Sequence, residues 1–107
     1  NTEALSNLGL ALTQTDQPAA AITRLNEAVR LNPKFFQAYN NLGFALSRTG
    51  RLEESAAAFA RAAQLNPTVP QIFDNWGKIC QALGRAAEAE QHFAEAARLR
   101  READSAR

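Results

Sequence analysis

Apolar residues recur three and four positions apart in the opening stretch, at Leu5, Leu8 and Leu12 and then at Ile22, Leu25 and Val29. This is the period of a helix with one oily face, near 3.6 residues, and not the alternation of a strand. Short breaker segments interrupt it at Thr15-Asp16-Gln17-Pro18, Thr49-Gly50-Arg51 and Leu83-Gly84-Arg85. Each is too brief for the following helix to do anything but fold back antiparallel. Asn32-Pro33 and Asn66-Pro67 end two more helices, because proline disfavours helical geometry in the residue before it and cannot continue the hydrogen bonding behind it. Six helices are therefore predicted, at about 2–14, 18–31, 36–48, 52–65, 70–82 and 86–103. Pro18 fits because it falls in a first turn, where its missing N–H had no partner.

A shift of 34 residues superposes Asn7-Leu8-Gly9 on Asn41-Leu42-Gly43 and on Asn75-Trp76-Gly77. The same shift aligns Leu5 with Tyr39 and Phe73, Leu12 with Leu46 and Cys80, Ala21 with Ser55 and Ala89, and Leu25 with Phe59 and Phe93. Large positions stay large and small ones stay small, so the chain is three copies of one helix pair. A glycine inside a helix costs on the order of 1 kcal/mol relative to alanine. Three of them at one spacing imply a compensating close contact, which the register assigns to Ala21, Ser55 and Ala89 on the second helix of each pair.

The pattern resembles the tetratricopeptide repeat: a large residue, then Leu-Gly, a bulky residue, Ala, Phe and a closing Pro at fixed places in 34 residues. The match covers residues 2 to 103, as repeats at about 2–35, 36–69 and 70–103 in one array, followed by a charged helical extension over 100–107. The resemblance implies an all-α, right-handed superhelix of three antiparallel helix pairs, with the first helix of each pair on the concave side. It also implies a protein-protein interaction scaffold rather than an enzyme.

On helix geometry, the residues facing away from Leu5, Leu8 and Leu12 include Glu3, Ser6, Asn7, Leu10 and Thr13. Their equivalents are Gln37, Asn40, Asn41, Phe44 and Ser47, then Gln71, Asp74, Asn75, Lys78 and Gln81. Asn7, Asn41 and Asn75 form the expected core of a binding groove, since a carboxamide offers an acceptor and two donors to the backbone of an extended peptide. Asn40, Gln37, Gln71 and Lys78 line the same face, and Leu10 and Phe44 are the expected apolar anchors. The ladder is similar to that in the superhelical repeats of the glycosyltransferases that attach N-acetylglucosamine to serine and threonine, and Ala38-Tyr39-Asn40-Asn41-Leu42-Gly43 looks like a unit of those enzymes. The competing readings are that the three asparagines were copied when the unit duplicated or that they brace the neighbouring helix. At roughly 0.5 to 1.5 kcal/mol per hydrogen bond, against an association cost of about 4 to 15 kcal/mol, three asparagines do not carry binding unaided. The expected affinity is micromolar or weaker. Repeat domains that grip acidic chaperone tails use lysine, asparagine and arginine where this chain has Ser6, Leu10, Asn41, Gln71 and Asn75. Only Asn41 agrees, so no such tail is expected to bind.

Charge and composition narrow the partners further. The formal net charge is +1, with both signs interspersed, so no field gathers nucleic acid or an anionic membrane. Arg98, Arg100 and Arg101 are diluted by Glu102 and Asp104 and read as a solvated helix end. No run is long enough to insert into a bilayer, and the chain is expected to be soluble, with a cytoplasmic setting as the default. No cofactor or metal is expected: His92 is read as facing solvent without a second ligand at metal spacing, and Cys80, the single cysteine, as a small buried hydrophobe. No nucleophile has an activating base by any recognisable motif. A chain without methionine that begins at Asn1 points to a fragment or a processed form. Its first and last helices are expected to leave apolar end faces open, so self-association through them is the competing function. A third reading makes the chain the substrate-selecting arm of a larger glycosyltransferase.

Overall fold

The computed structural model describes residues 1–106. Six helices follow one another: α1 (Thr2–Gln14), α2 (Pro18–Leu31), α3 (Phe36–Arg48), α4 (Leu52–Leu65), α5 (Pro70–Ala82) and α6 (Ala86–Ser105). Each pairs with its successor, and α1 also packs on α3 and α3 on α5, giving an all-α solenoid in which the odd-numbered helices form one layer. Arg107, the last residue of the charged extension, lies outside the described residues.

The turn inside each helix pair is built the same way three times. The N–H groups of Gln17, Arg51 and Arg85 donate to the carbonyls of Leu12, Leu46 and Cys80, and those of Asp16, Gly50 and Gly84 donate to Thr13, Ser47 and Gln81. This pair of bonds satisfies the last carbonyls of the helix, and it forces the residue after the C-cap into left-handed geometry. Gly50 and Gly84 adopt it at φ of 75° and 78°, and Asp16 at 64°. Between repeats the device differs. Asn32 and Asn66 are extended ahead of their prolines, and their side-chain oxygens accept the N–H groups of Lys34 and Thr68, a local turn that restarts the chain.

The helical glycines have a different partner from the expected one. A Cβ on Gly43 would lie 2.8 Å from three ring atoms of Phe59, and one on Gly77 would lie 2.6 Å from the ring of Phe93. On Gly9 it would lie 2.4 Å from Leu25. The missing side chain is thus a notch for the large residue four positions beyond Ala21, Ser55 or Ala89. The small residue has its own use in the second pair, where the buried Ser55 hydroxyl donates to the Gly43 carbonyl at 2.6 Å.

Two of the positions read as groove-facing are inside. Ser6 is 1% exposed and Thr13 is fully buried, with the Thr13 hydroxyl donating to the Gly9 carbonyl. α1 is covered by both α2 and α3, so its free face is narrower than a two-sided helix would show. Leu8 departs the other way and is 46% exposed, whereas its equivalent Leu42 is buried against α2 and α4. Leu42 is covered by the second helix of the preceding pair, and among the described residues no such helix lies against Leu8.

Candidate functional site: the groove along the first helices

The small Ser6 receives Asn41 where α3 packs on α1, α5 follows on α3, and the outer faces of these helices border two adjoining hollows. The larger, about 330 Å³, is lined by Leu10, Gln14, Asn40, Asn41, Phe44, Gln71 and Asn75. The smaller, about 190 Å³, shares Phe44 and Asn75 and adds Ser47, Phe59, Lys78 and Ile79. Six residues named from sequence, Leu10, Asn40, Asn41, Phe44, Gln71 and Asn75, therefore converge, and Lys78 stands next to them. Asn7 and Gln37 are exposed and line neither hollow. Gln14 was missed. It lies one helical turn beyond Leu10, and that spacing was the available signal.

The asparagines are not equivalent. Asn41 turns its side-chain N–H₂ to Ser6, donating to the hydroxyl at 2.9 Å and to the carbonyl at 3.2 Å. Asn75 reaches Asn40 in the same register, at 3.4 Å. The ladder thus braces helix to helix, and for Asn41 the donors assigned to a peptide are already engaged, leaving its Oδ1 as an acceptor. Asn7 has no earlier helix to reach. α3 packs more extensively on α1 than α5 does on α3, leaving a wider seam where the larger Asn40 takes the place of Ser6. That wider seam is where the hollows open.

Phe44 forms the wall between them. It is half-buried against Phe59 and Ile79, and the Arg48 guanidinium sits 5.6 Å above its ring. One side of the ring packs helix on helix and the rest is left to the groove. Charge is sparse around it. Asp74 is paired with Arg100 of α6, while Lys78 is exposed and makes no ion pair among the described residues. Arg98 is held between Glu95 and Glu102, which accounts for most of the basic cluster at the end of α6.

A model of the family described as "Tetratricopeptide repeat" matches residues 3–70. The chain belongs to the tetratricopeptide repeat family. Its third helix pair, α5 and α6, continues the array beyond that match. No curated protein matches the sequence at a significant level. Among solved structures, the MamA RS-1 double mutant superposes with a TM-score of 0.93 at 26% identity, covering 98% of this chain and 59% of that one. A crystal structure of MamA gives 0.92 at 25% identity, covering 98% and 61%, and MamA MSR-1 gives 0.87 at 27%, covering 96% and 59%. The chain spans about three-fifths of the MamA chains it resembles. Tetratricopeptide repeats are non-catalytic scaffolds that mediate protein-protein interaction. Among the described residues, no helix is long and apolar enough to cross a membrane.

Two features lie away from this groove and were not read from the sequence. A hollow of about 320 Å³ opens on the opposite side, between α2 and α4, over Ile22, Leu42, Leu46 and Ala58 with Arg51 and Arg61 at its rim. The corresponding space between α4 and α6 is filled, because Trp76 replaces Leu42 and stacks on His92 with ring centroids 3.7 Å apart. His92 is therefore not solvent-facing: its side chain is 13% exposed. Nor is it without neighbours at metal spacing, since Cys80 and Glu88 lie beside it. Burial and the adjoining Glu88 carboxylate push the Cys80 thiol up to about 11.

Proposed function

We propose that this chain is an interaction scaffold that holds an extended segment of a partner protein in the concave groove along α1, α3 and α5. The observation that carries the reading is the 330 Å³ hollow in which Asn40, Asn41, Gln71 and Asn75 surround the apolar edges of Leu10 and Phe44. Of the rim carboxamides, Asn41 keeps only its Oδ1 as an acceptor, while Asn40, Gln71 and Asn75 retain groups that accept from and donate to backbone without regard to sequence. Leu10 and Phe44 supply the apolar contact that backbone bonding alone lacks, and Lys78 at one end favours a partner with an acidic residue there. Peptides selected from a random-sequence display library on the immobilised chain provide the ligand. Phe44→Ala and Asn75→Ala should each weaken the selected peptide about tenfold, and unchanged binding in both variants rejects the groove.

A second reading has its own observation. Leu8 and Leu31 are the exposed large hydrophobics of the chain, at 46% and 60%, and Leu8 sits on the stacking face of α1. Repeats bury such faces against a neighbour, here a second copy or a further repeat of a longer chain, so self-assembly through the first helix pair competes with peptide binding. Light scattering across a concentration series separates the two, because a peptide-binding module stays monomeric and Leu8→Glu abolishes any assembly built on this face.

A further inference from the structure

From the arrangement of α5 and α6 we infer a binding site for a zinc-class transition metal, formed by Cys80, Glu88 and His92. The three ligand atoms all lie within 4.8 Å of one another. Glu88 Oε2 stands 3.3 Å from Cys80 Sγ and 3.5 Å from His92 Nε2. Zinc bonds of about 2.3 Å to sulfur and about 2.0–2.2 Å to nitrogen and oxygen place donors roughly 3.3–3.6 Å apart around a tetrahedral ion. Two edges of that figure are already present, and a side-chain rotation closes the third.

Cys80 and His92 are each held by packing that does not involve the other donors, and Glu88 bridges them. Cys80 is fully buried on α5. Glu88 and His92 are four residues apart on one face of α6, and the imidazole plane is fixed by Trp76 at an interplanar angle of 20°. That stacking aims Nε2 inward, where it is shielded from solvent without a hydrogen-bond partner. Its nearest polar neighbour is the Glu88 carboxylate at 3.5 Å; a nitrogen so poorly partnered is costly in a protein interior, and an ion between the two would satisfy both. Glu88 is 44% exposed and gives the ion its way in.

The repeat register shows that the cluster is peculiar to the third unit. Cys80 falls on Leu46 and Leu12, and His92 falls on Ala58 and Arg24. Glu88 falls on Glu54 and Ala20, so the third copy keeps a carboxylate that the second also has and departs at the thiol and imidazole that meet it. Thiolate and imidazole select zinc, cobalt or copper over magnesium and calcium. Three protein donors leave a fourth position for water. Binding displaces the thiol proton, so it weakens in acid.

Cobalt(II) titration of the reduced, tag-free, chelator-treated chain tests the site. One equivalent should bind, with a thiolate-to-cobalt charge-transfer band in the near ultraviolet and the visible bands of a tetrahedral ion. The fluorescence of Trp76, the single tryptophan, should fall in the same titration, and zinc should displace the cobalt and reverse both signals. Cys80→Ser should remove the charge-transfer band. His92→Gln and Glu88→Gln, which leave the fully buried core untouched, should each weaken binding about tenfold or more, with helical circular dichroism retained. Wild-type protein that shows no band, or a band and quenching that His92→Gln leaves unchanged, overturns the proposal.

Discussion

Alanine is the best helix former, so replacing Gly43 in the middle of α3 should stabilise the chain by about 1 kcal/mol if the glycine were incidental. The structure gives the opposite sign. The new Cβ would meet Phe59 Cδ1, Cε1 and Cζ at 2.8 Å, a distance at which something has to move. Phe59 is 2% exposed and packed with Ala56 and Ile79, so the ring can shift toward the 190 Å³ hollow it borders only by giving up those contacts. Overpacking of this kind costs about 1–3 kcal/mol, and the confinement of the ring puts Gly43→Ala at the upper end. Offsetting the propensity gain leaves a net loss of about 2 kcal/mol, or roughly 8 °C in Tm for a chain of this size. Urea unfolding followed by circular dichroism measures it directly. In a Phe59→Val background, which withdraws the ring atoms, the same substitution should lose most of its penalty, giving a coupling between the two sites of about 2 kcal/mol. A Gly43→Ala protein more stable than wild type would refute the notch.

Other substitutions probe the turns, the brace and the buried thiol. Asp16 occupies the left-handed position that Gly50 and Gly84 fill in the other repeats, so Asp16→Gly should raise stability by about 0.5–1 kcal/mol in urea unfolding. Asn41→Ala strips the partner from the buried Ser6 hydroxyl and should cost about 1–3 kcal/mol, while Asn7→Ala on the open end of the ladder should stay within about 0.5 kcal/mol of wild type. Cys80 has its folded pKa raised from 9.0 to about 11, which means that the native state holds its proton more tightly than the unfolded chain. Its stabilising contribution is complete below pH 9 and is lost as pH rises through 11, so the urea midpoint of the metal-free protein should fall across that window, and less so in Cys80→Ala.

How much of this was legible beforehand depends on which residues set the geometry. The helix ends were readable because Asn-Pro pairs and the Gly50 and Gly84 turns are local chemistry. That Leu10, Phe44, Asn41 and Asn75 share a face was readable because each pair recurs at the 34-residue shift, and repeats place equivalent residues on one face. What a period does not show is how many neighbours a helix has. Ser6 and Thr13 sit on the polar side of α1 by angle alone, yet α3 covers that side. The partners of the glycines were misassigned for a related reason, since the distance between helix axes decides whether the notch receives the small residue or the large one four positions on. His92 was placed by its polarity among the glutamates and alanines of α6. The 34-residue shift puts it on Ala58, which is 7% exposed, and that alignment held the signal that it faces inward.

Recognition along the first helices is the central claim, and amide chemical-shift mapping with a library-selected peptide tests it most directly. Shifts concentrated at Leu10, Asn40, Phe44, Gln71, Asn75 and Lys78, with the opposite side silent, are the predicted result. Shifts confined to Ile22, Arg51 and Arg61, or to the Leu8 end of α1, would contradict it.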